Sequence, residues 1–224
     1  MKKKNTFATL LAVAIMFSCG SKNNAPVAEF AEPETLQNGD LIFALVPSDY
    51  SLDSTAANYG DTSKVEYIHV SVANVENDSV FIIDATLARG VARYPLADYL
   101  KDFMFPDGSE LVFKVKRLRD TTGVYGFVQT AKTFLGKPFD VHFNFENDSV
   151  YCSEMVYNSY VKDGRHLFSL NPIDFKNADG VMSPYFESLF KRIEKPVPQG
   201  KKGILPRDMF GEHLLVPVNV DITK

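Results

Sequence analysis

Cysteine is scarce: 224 residues contain two, at positions 19 and 152. No C-x-x-C or H-x-x-x-H spacing occurs, so a zinc site built from one local segment is excluded. No apolar run reaches the roughly 20 residues that a membrane-crossing helix needs. The chain shows no internal repeat and no low-complexity segment. Basic residues are also in deficit, with 24 Lys and Arg against 28 Asp and Glu and a formal charge of −4. No basic tract of the kind that neutralises phosphates follows the first four residues, so nucleic acid is not an expected partner.

The N-terminus reads MKKKNTFATLLAVAIMFSCG: three lysines, a short apolar run and then Ser18-Cys19-Gly20. That order predicts a secretory signal over residues 1–18. Its end resembles the lipobox of bacterial lipoproteins, with Phe17 where leucine is common, and the resemblance implies lipidation of Cys19. The alternative is an ordinary cleaved signal with an incidental cysteine. Residues 19–35 are small, polar and proline-containing, as a tether between a lipid and a folded part would be. Loss of residues 1–18 takes away three lysines and no acid, deepening the charge to about −7. The expectation is a membrane-anchored protein of the bacterial cell envelope, with one domain over residues 36–224.

If the sulfur of Cys19 carries a lipid, Cys152 has no partner in the chain. A leftover thiol in an exported protein points to reactivity or an intermolecular bond; a buried inert cysteine is the other possibility.

The remaining residues predict an α+β fold, with antiparallel hairpins rather than βαβ alternation. LQNGDLIFALV is a turn and a strand, and residues 47–66 read as a loop with room for a short helix. In YIHVSVANVENDSVFIIDATL two β-branched runs flank a turn, which signals a hairpin. GVARYPLADYLKDF reads as a turn followed by a helix after Pro95. ELVFKVKRL alternates as a strand. Helices are expected from Val124 to Gly136 and from Cys152 towards Gly164, and a last strand near 213–220. Residues 170–212 take no assignment, but a cover over a cleft is one use for them.

A hairpin turn centred on Asn77-Asp78 makes facing residue numbers sum to 155. His69 then faces Thr86, and Asp84 is its diagonal neighbour on the same side of the sheet, within side-chain reach. Cys152 opens a helix, where unsatisfied N–H groups and a positive dipole favour a thiolate. The three residues match a nucleophile, a base and an orienting group: Cys152, His69 and Asp84. Tyr151, Ser153 and His142 are candidates for substrate or oxyanion contact, each with a packing or surface alternative. Glu154 suits a helix-capping role. His166 and His213 belong to no constellation. No cofactor and no metal ion is called for.

The blocks NGDLIF, YIHVSVANV, VFIIDATLARGVARYPLADYL, LGKPFD and VYCSEMVY resemble, in that order, the permuted papain-like amidases, the YiiX-like branch of the NlpC superfamily. The likeness runs over about residues 36–161. It implies a circularly permuted papain-like fold, an antiparallel sheet packed on helices, with the histidine strand ahead of the cysteine helix. It places the family's nucleophile at Cys152 and its base at His69. The third polar residue, usually Glu, falls on Asp84, whose shorter side chain leads us to expect a longer or water-mediated contact. The implied activity is cleavage of an amide in a peptide-like or amino-acid-containing substrate, with peptidoglycan peptide as one case. Hydrolysis or transfer of acyl groups in lipid amides and esters, as in lecithin retinol acyltransferase-like proteins, is the alternative. A binding lipoprotein without activity is a third.

Overall fold

Every residue of the strand Leu41–Pro47 (β1) is buried. Its run LIFALVP has no polar alternation because both of its faces are covered. The computed structural model describes residues 34–61, 64–177 and 179–224. The expected signal peptide, the Cys19 lipidation site and all but the last two residues of the tether lie outside the described residues.

Around β1 forms a six-stranded antiparallel sheet. Its other strands are Val65–Glu76 (β2), Ser79–Thr86 (β3), Gly90–Pro95 (β4), Val112–Leu118 (β5) and, after two short ribbons, the last strand. The ribbons pair Val161–Lys162 (β6) with Arg165–His166 (β7), and Asn171–Pro172 (β8) with Lys202–Gly203 (β9). With Leu215–Val218 as β10, the sheet order is β10-β5-β1-β2-β3-β4. Asn77 and Asp78 adopt φ of 49° and 60°, the left-handed pair that a two-residue hairpin turn requires. Pairs such as Val72↔Ile83 and Ala73↔Ile82 follow from that turn.

One irregularity re-aims the strand. Ala44 pairs with His69 but Leu45 pairs with Tyr67, so Ile68 is an extra residue in β2. Such a bulge turns neighbouring side chains towards the same side. Simple alternation sets Ile68 beside Val70 and Val72. Instead it packs with Ala44, Val46 and Tyr50, while Val70 and Val72 stay in the main core.

The helices are Leu96–Asp102 (α1), Val124–Lys132 (α2), Cys152–Ser159 (α3), Pro184–Arg192 (α4) and Pro206–Phe210 (α5). Val128 and Ala131 of α2 and Met155 and Val156 of α3 cover one sheet face, against Leu41, Phe43, Val70, Val72 and Ile83. On the other face Tyr94 and Tyr99 pack on Ile42, Ala73 and Ile82. A third cluster joins Phe175, Phe186, Phe190 and Leu205 to Phe143 and Tyr151. At about 1.5–3 kcal/mol for each large apolar side chain removed from water, that aromatic cluster holds α4 in place without a strand.

Several boundaries differ from the sequence reading. Gly90–Pro95 is a strand, not a turn; it pairs with β3 at the sheet edge, where a terminal proline is tolerated. Helix α2 stops at Lys132, four residues before Gly136, and leaves Leu135 exposed. Helix α3 stops at Ser159, because the chain turns into the β6–β7 ribbon through Asp163 and Gly164, both at positive φ. Among the described residues of the 48–64 loop there is no helix.

Candidate active site

The bulged strand β2 carries His69, and the facing strand β3 carries Asp84. His69 Nε2 lies 2.5 Å from Asp84 Oδ1, a direct contact despite the shorter side chain. Asp84 is completely buried and has two further donors: its own strand's Ala85 N–H at 2.8 Å to Oδ1, and the Tyr94 hydroxyl at 3.0 Å to Oδ2. These three bonds fix the carboxylate plane and hence the imidazole that leans on it. Phe103, just past α1, packs against the imidazole ring at a centroid distance of 4.9 Å.

With Nε2 taken by Asp84, Nδ1 is the ring nitrogen left for Cys152, which lines the same groove as His69. Burial opposes charge on His69, but the Asp84 carboxylate and the negative charge of Cys152 outweigh it and raise the imidazole from 6.5 to about 10. Cys152 is the first residue of α3 and is nearly buried. The first N–H groups of a helix have no intrahelical acceptor, so those of Cys152 and Ser153 are available to an oxyanion beside the sulfur. The Tyr151 N–H is capped by Glu154 Oε2 at 3.4 Å. Burial raises the Glu154 carboxyl from 4.5 to about 7, with the Tyr151 N–H pulling the other way.

Cys152 and His69 open into a groove of about 300 Å³. Ile68 and His69 both line it, side by side, because of the bulge. Leu87 and Ala88 of the β3–β4 turn, Asp102 and Phe103 at the end of α1, and Phe139 and Phe143 also line it. Tyr185, Phe186 and Leu189 of α4, with Leu205 and Pro206, form the facing wall. The unassigned stretch 170–212 therefore contributes Tyr185, Phe186, Leu189, Leu205 and Pro206 to the groove lining.

The structure brings Cys152, His69 and Asp84 together; it does not bring all the other candidates. Tyr151 is fully buried, its hydroxyl accepts the Ile204 N–H at 3.2 Å, and its ring packs on Phe143; it does not line the groove. Ser153 does line it, but it is completely buried and its hydroxyl donates to the Ile204 carbonyl at 2.8 Å. His142 is exposed and outside the groove; its N–H donates to Asp140 and its carbonyl accepts from Lys201. The reason is local: Asp140 gathers the N–H groups of residues 142 and 144. The turn so formed points Phe143, at φ 49°, inward in place of the histidine. His166 stacks on Tyr157, and His213 is solvent-exposed.

Two residues were missed. Tyr94 is the second side-chain partner of Asp84, hidden because β4 was read as a turn. Tyr185 lines the groove near Cys152, and no described residue hydrogen-bonds its hydroxyl; burial first, then the Cys152 charge, hold that hydroxyl protonated well above the usual tyrosine range. The only local signal for Tyr185 was Ser-Pro-Tyr-Phe at a helix start, which says nothing about where the helix docks.

Residues 35–218 match the sequence profile of a family described as "Permuted papain-like amidase enzyme, YaeF/YiiX, C92 family". The uncharacterized protein YiiX of Escherichia coli (strain K12) is 30% identical over 128 residues, 55% of this chain and 57% of that protein. The aligned part thus spans little more than half the length of that relative. A crystal structure described as metalloprotein yiiX from Escherichia coli O157:H7 has the same fold, with a TM-score of 0.57 at 23% identity over 83% of this chain and 97% of that one.

Proposed function

Since the chain belongs to the permuted papain-like amidases of the C92 family, we propose that it is a cysteine hydrolase with Cys152 as its nucleophile. His69 is then the general acid and base, and Asp84 the group that orients it. The observation that carries this assignment is the buried His69–Asp84 pair, Nε2 2.5 Å from Oδ1, with His69 lining the same groove as Cys152.

The sulfur attacks the scissile carbonyl carbon, and the carbonyl π pair moves to oxygen. The N–H groups of Cys152 and Ser153 face that oxyanion, and the Tyr185 hydroxyl is the side-chain donor on the opposite wall. Collapse breaks the C–N bond while His69 passes its Nδ1 proton to the leaving amine, which leaves a thioester on Cys152. Water then enters; His69 takes its proton, the thioester C–S bond breaks, and the acid departs with the thiolate–imidazolium pair restored.

The substrate is an amide in a peptide-like or amino-acid-containing molecule of the cell envelope, with peptidoglycan peptide as one case. The export signal and the Cys19 motif support a membrane-anchored lipoprotein of the bacterial cell envelope, on its periplasmic or surface side. Among the described residues no helix is long and apolar enough to cross a membrane. A second reading, hydrolysis or transfer of a lipid acyl group, is favoured by one observation: the groove walls are Ile68, Leu87, Phe103, Phe139, Phe186 and Leu189.

The structural relative is described as a metalloprotein. Among the described residues of this chain no group of three or more His, Cys, Asp or Glu side chains is placed to hold a metal ion. His69 Nε2 is already engaged by Asp84, so the donor set does not fit a metal and no step is routed through one.

The test is mass spectrometry of muropeptides and, separately, of lipid extracts after incubation with the protein and with Cys152→Ala. New termini in the muropeptides that vanish in the variant support amide cleavage. Released fatty acid would support the second reading instead. Products that persist with Cys152→Ala would overturn the nucleophile.

A further inference from the structure

Three residues before His69, strand β2 buries a carboxyl that the proposed chemistry does not use: Glu66 is 3% exposed. Two other segments close on it. Arg207 Nη1, from α5, lies 3.6 Å from Glu66 Oε1, and the same guanidinium donates to the Lys176 carbonyl. The hydroxyl of Ser183, at the N-terminus of α4, is buried beside Glu66 with no partner at normal hydrogen-bond distance. Both partners adjoin the groove. Pro206 directly precedes Arg207, Tyr185 follows Ser183 by two residues, and each lines the groove with Cys152. One buried carboxyl thus ties the strand that carries His69 to both segments of the facing wall.

We propose that Glu66 is a positioning residue: its protonation fastens α4 and α5 against β2, so the apolar side of the groove tightens as the solution is acidified and loosens as it is made alkaline. This rests on the reading of the groove as the substrate site. The direction follows from linkage. In the closed arrangement burial raises the Glu66 carboxyl from 4.5 to about 7, against the pull of Arg207 and Ser183. If α4 and α5 lift away, the carboxyl meets water and returns towards 4.5. A proton held more tightly in the closed form favours the closed form. The other charged or titratable groups around Glu66 are Asp174 and Lys176, on the segment before α4, and Tyr67 on β2. Asp174 is held below its usual range chiefly by Gln199, with Arg207 a smaller cause, so it competes with Glu66 for the same guanidinium. Tyr67 is raised by burial and stays neutral across the range.

The experiment compares alkylation of Cys152 by N-benzyl iodoacetamide, which must enter the apolar groove, with alkylation by iodoacetamide, which need not. Saturation with the benzyl reagent should be about three- to tenfold tighter at pH 6 than at pH 8. Glu66→Gln mimics the protonated group and should bind the benzyl reagent tightly at both values. Arg207→Met removes the group that holds the carboxyl down and should move the transition to higher pH. Amide hydrogen exchange of residues 183–193, corrected for intrinsic rates, provides a readout independent of the thiol. It should be slower at pH 6 than at pH 8 in the parent and pH-independent in Glu66→Gln. A parent with no pH dependence in either readout, or a Glu66→Gln protein that keeps it, overturns the proposal. A thiol that resists both reagents defeats the catalytic-pair reading alone, and exchange then decides on Glu66.

Discussion

Asp84 Oδ1 stands 2.5 Å from His69 Nε2, across a hairpin whose turn was already written in Asn77-Asp78. That contact leaves the far nitrogen of the imidazole for Cys152, and the Asp84 carboxylate helps raise the ring from 6.5 to about 10 against the effect of burial. The predictions below ask how much of the activity hangs on it.

Asp84→Asn keeps the size of the side chain and removes the charge. Turnover should fall by about a hundredfold or more, because the imidazolium loses its main stabilising partner and its tautomer is no longer set. Rates of Cys152 alkylation by iodoacetamide, followed against pH, should lose the contribution of a charged His69 at neutral pH. An unchanged profile would remove Asp84 from the site.

Tyr94→Phe deletes one of the three hydrogen bonds to Asp84. A loss of about 1 kcal/mol corresponds to about a fivefold drop in turnover. The effect should nearly disappear in the Asp84→Asn background, and full additivity of the two changes would show that Tyr94 acts elsewhere.

Tyr185→Phe should reduce turnover by about ten- to a hundredfold while the rate of iodoacetamide labelling stays near that of the parent. The separation arises because alkylation at a methylene carbon develops no oxyanion. His142→Ala is the control: its exposed side chain lies outside the groove, so turnover should change by less than about twofold.

The melting temperature should decline from pH 5 to pH 10. A histidine raised from 6.5 to about 10 contributes stability that is complete below 6.5 and lost as pH climbs through about 10. Glu66 and Glu154, raised from 4.5 to about 7, bind their protons more tightly in the fold, so stability drops as pH rises from 4.5 to 7. Replacing both by Gln should flatten the lower part of the curve, and thermal unfolding by circular dichroism reads both windows.

What the residues alone determined is local or periodic. Asn77-Asp78 imposes a two-residue turn, and the turn imposes the register that pairs Val72 with Ile83 and sets His69 on the side of Asp84. The apolar stripe after Cys152 makes a helix begin at that cysteine. Tertiary structure decided the rest. The bulge at Ile68 exists because β2 must match β1 as well as β3, and no single strand reveals a two-partner constraint. Gly90–Pro95 becomes a strand only because β3 has an open edge to pair with. Tyr185 lines the groove with Cys152 because the cluster of Phe175, Phe186 and Phe190 docks α4 there, through contacts between segments that sequence periodicity does not encode.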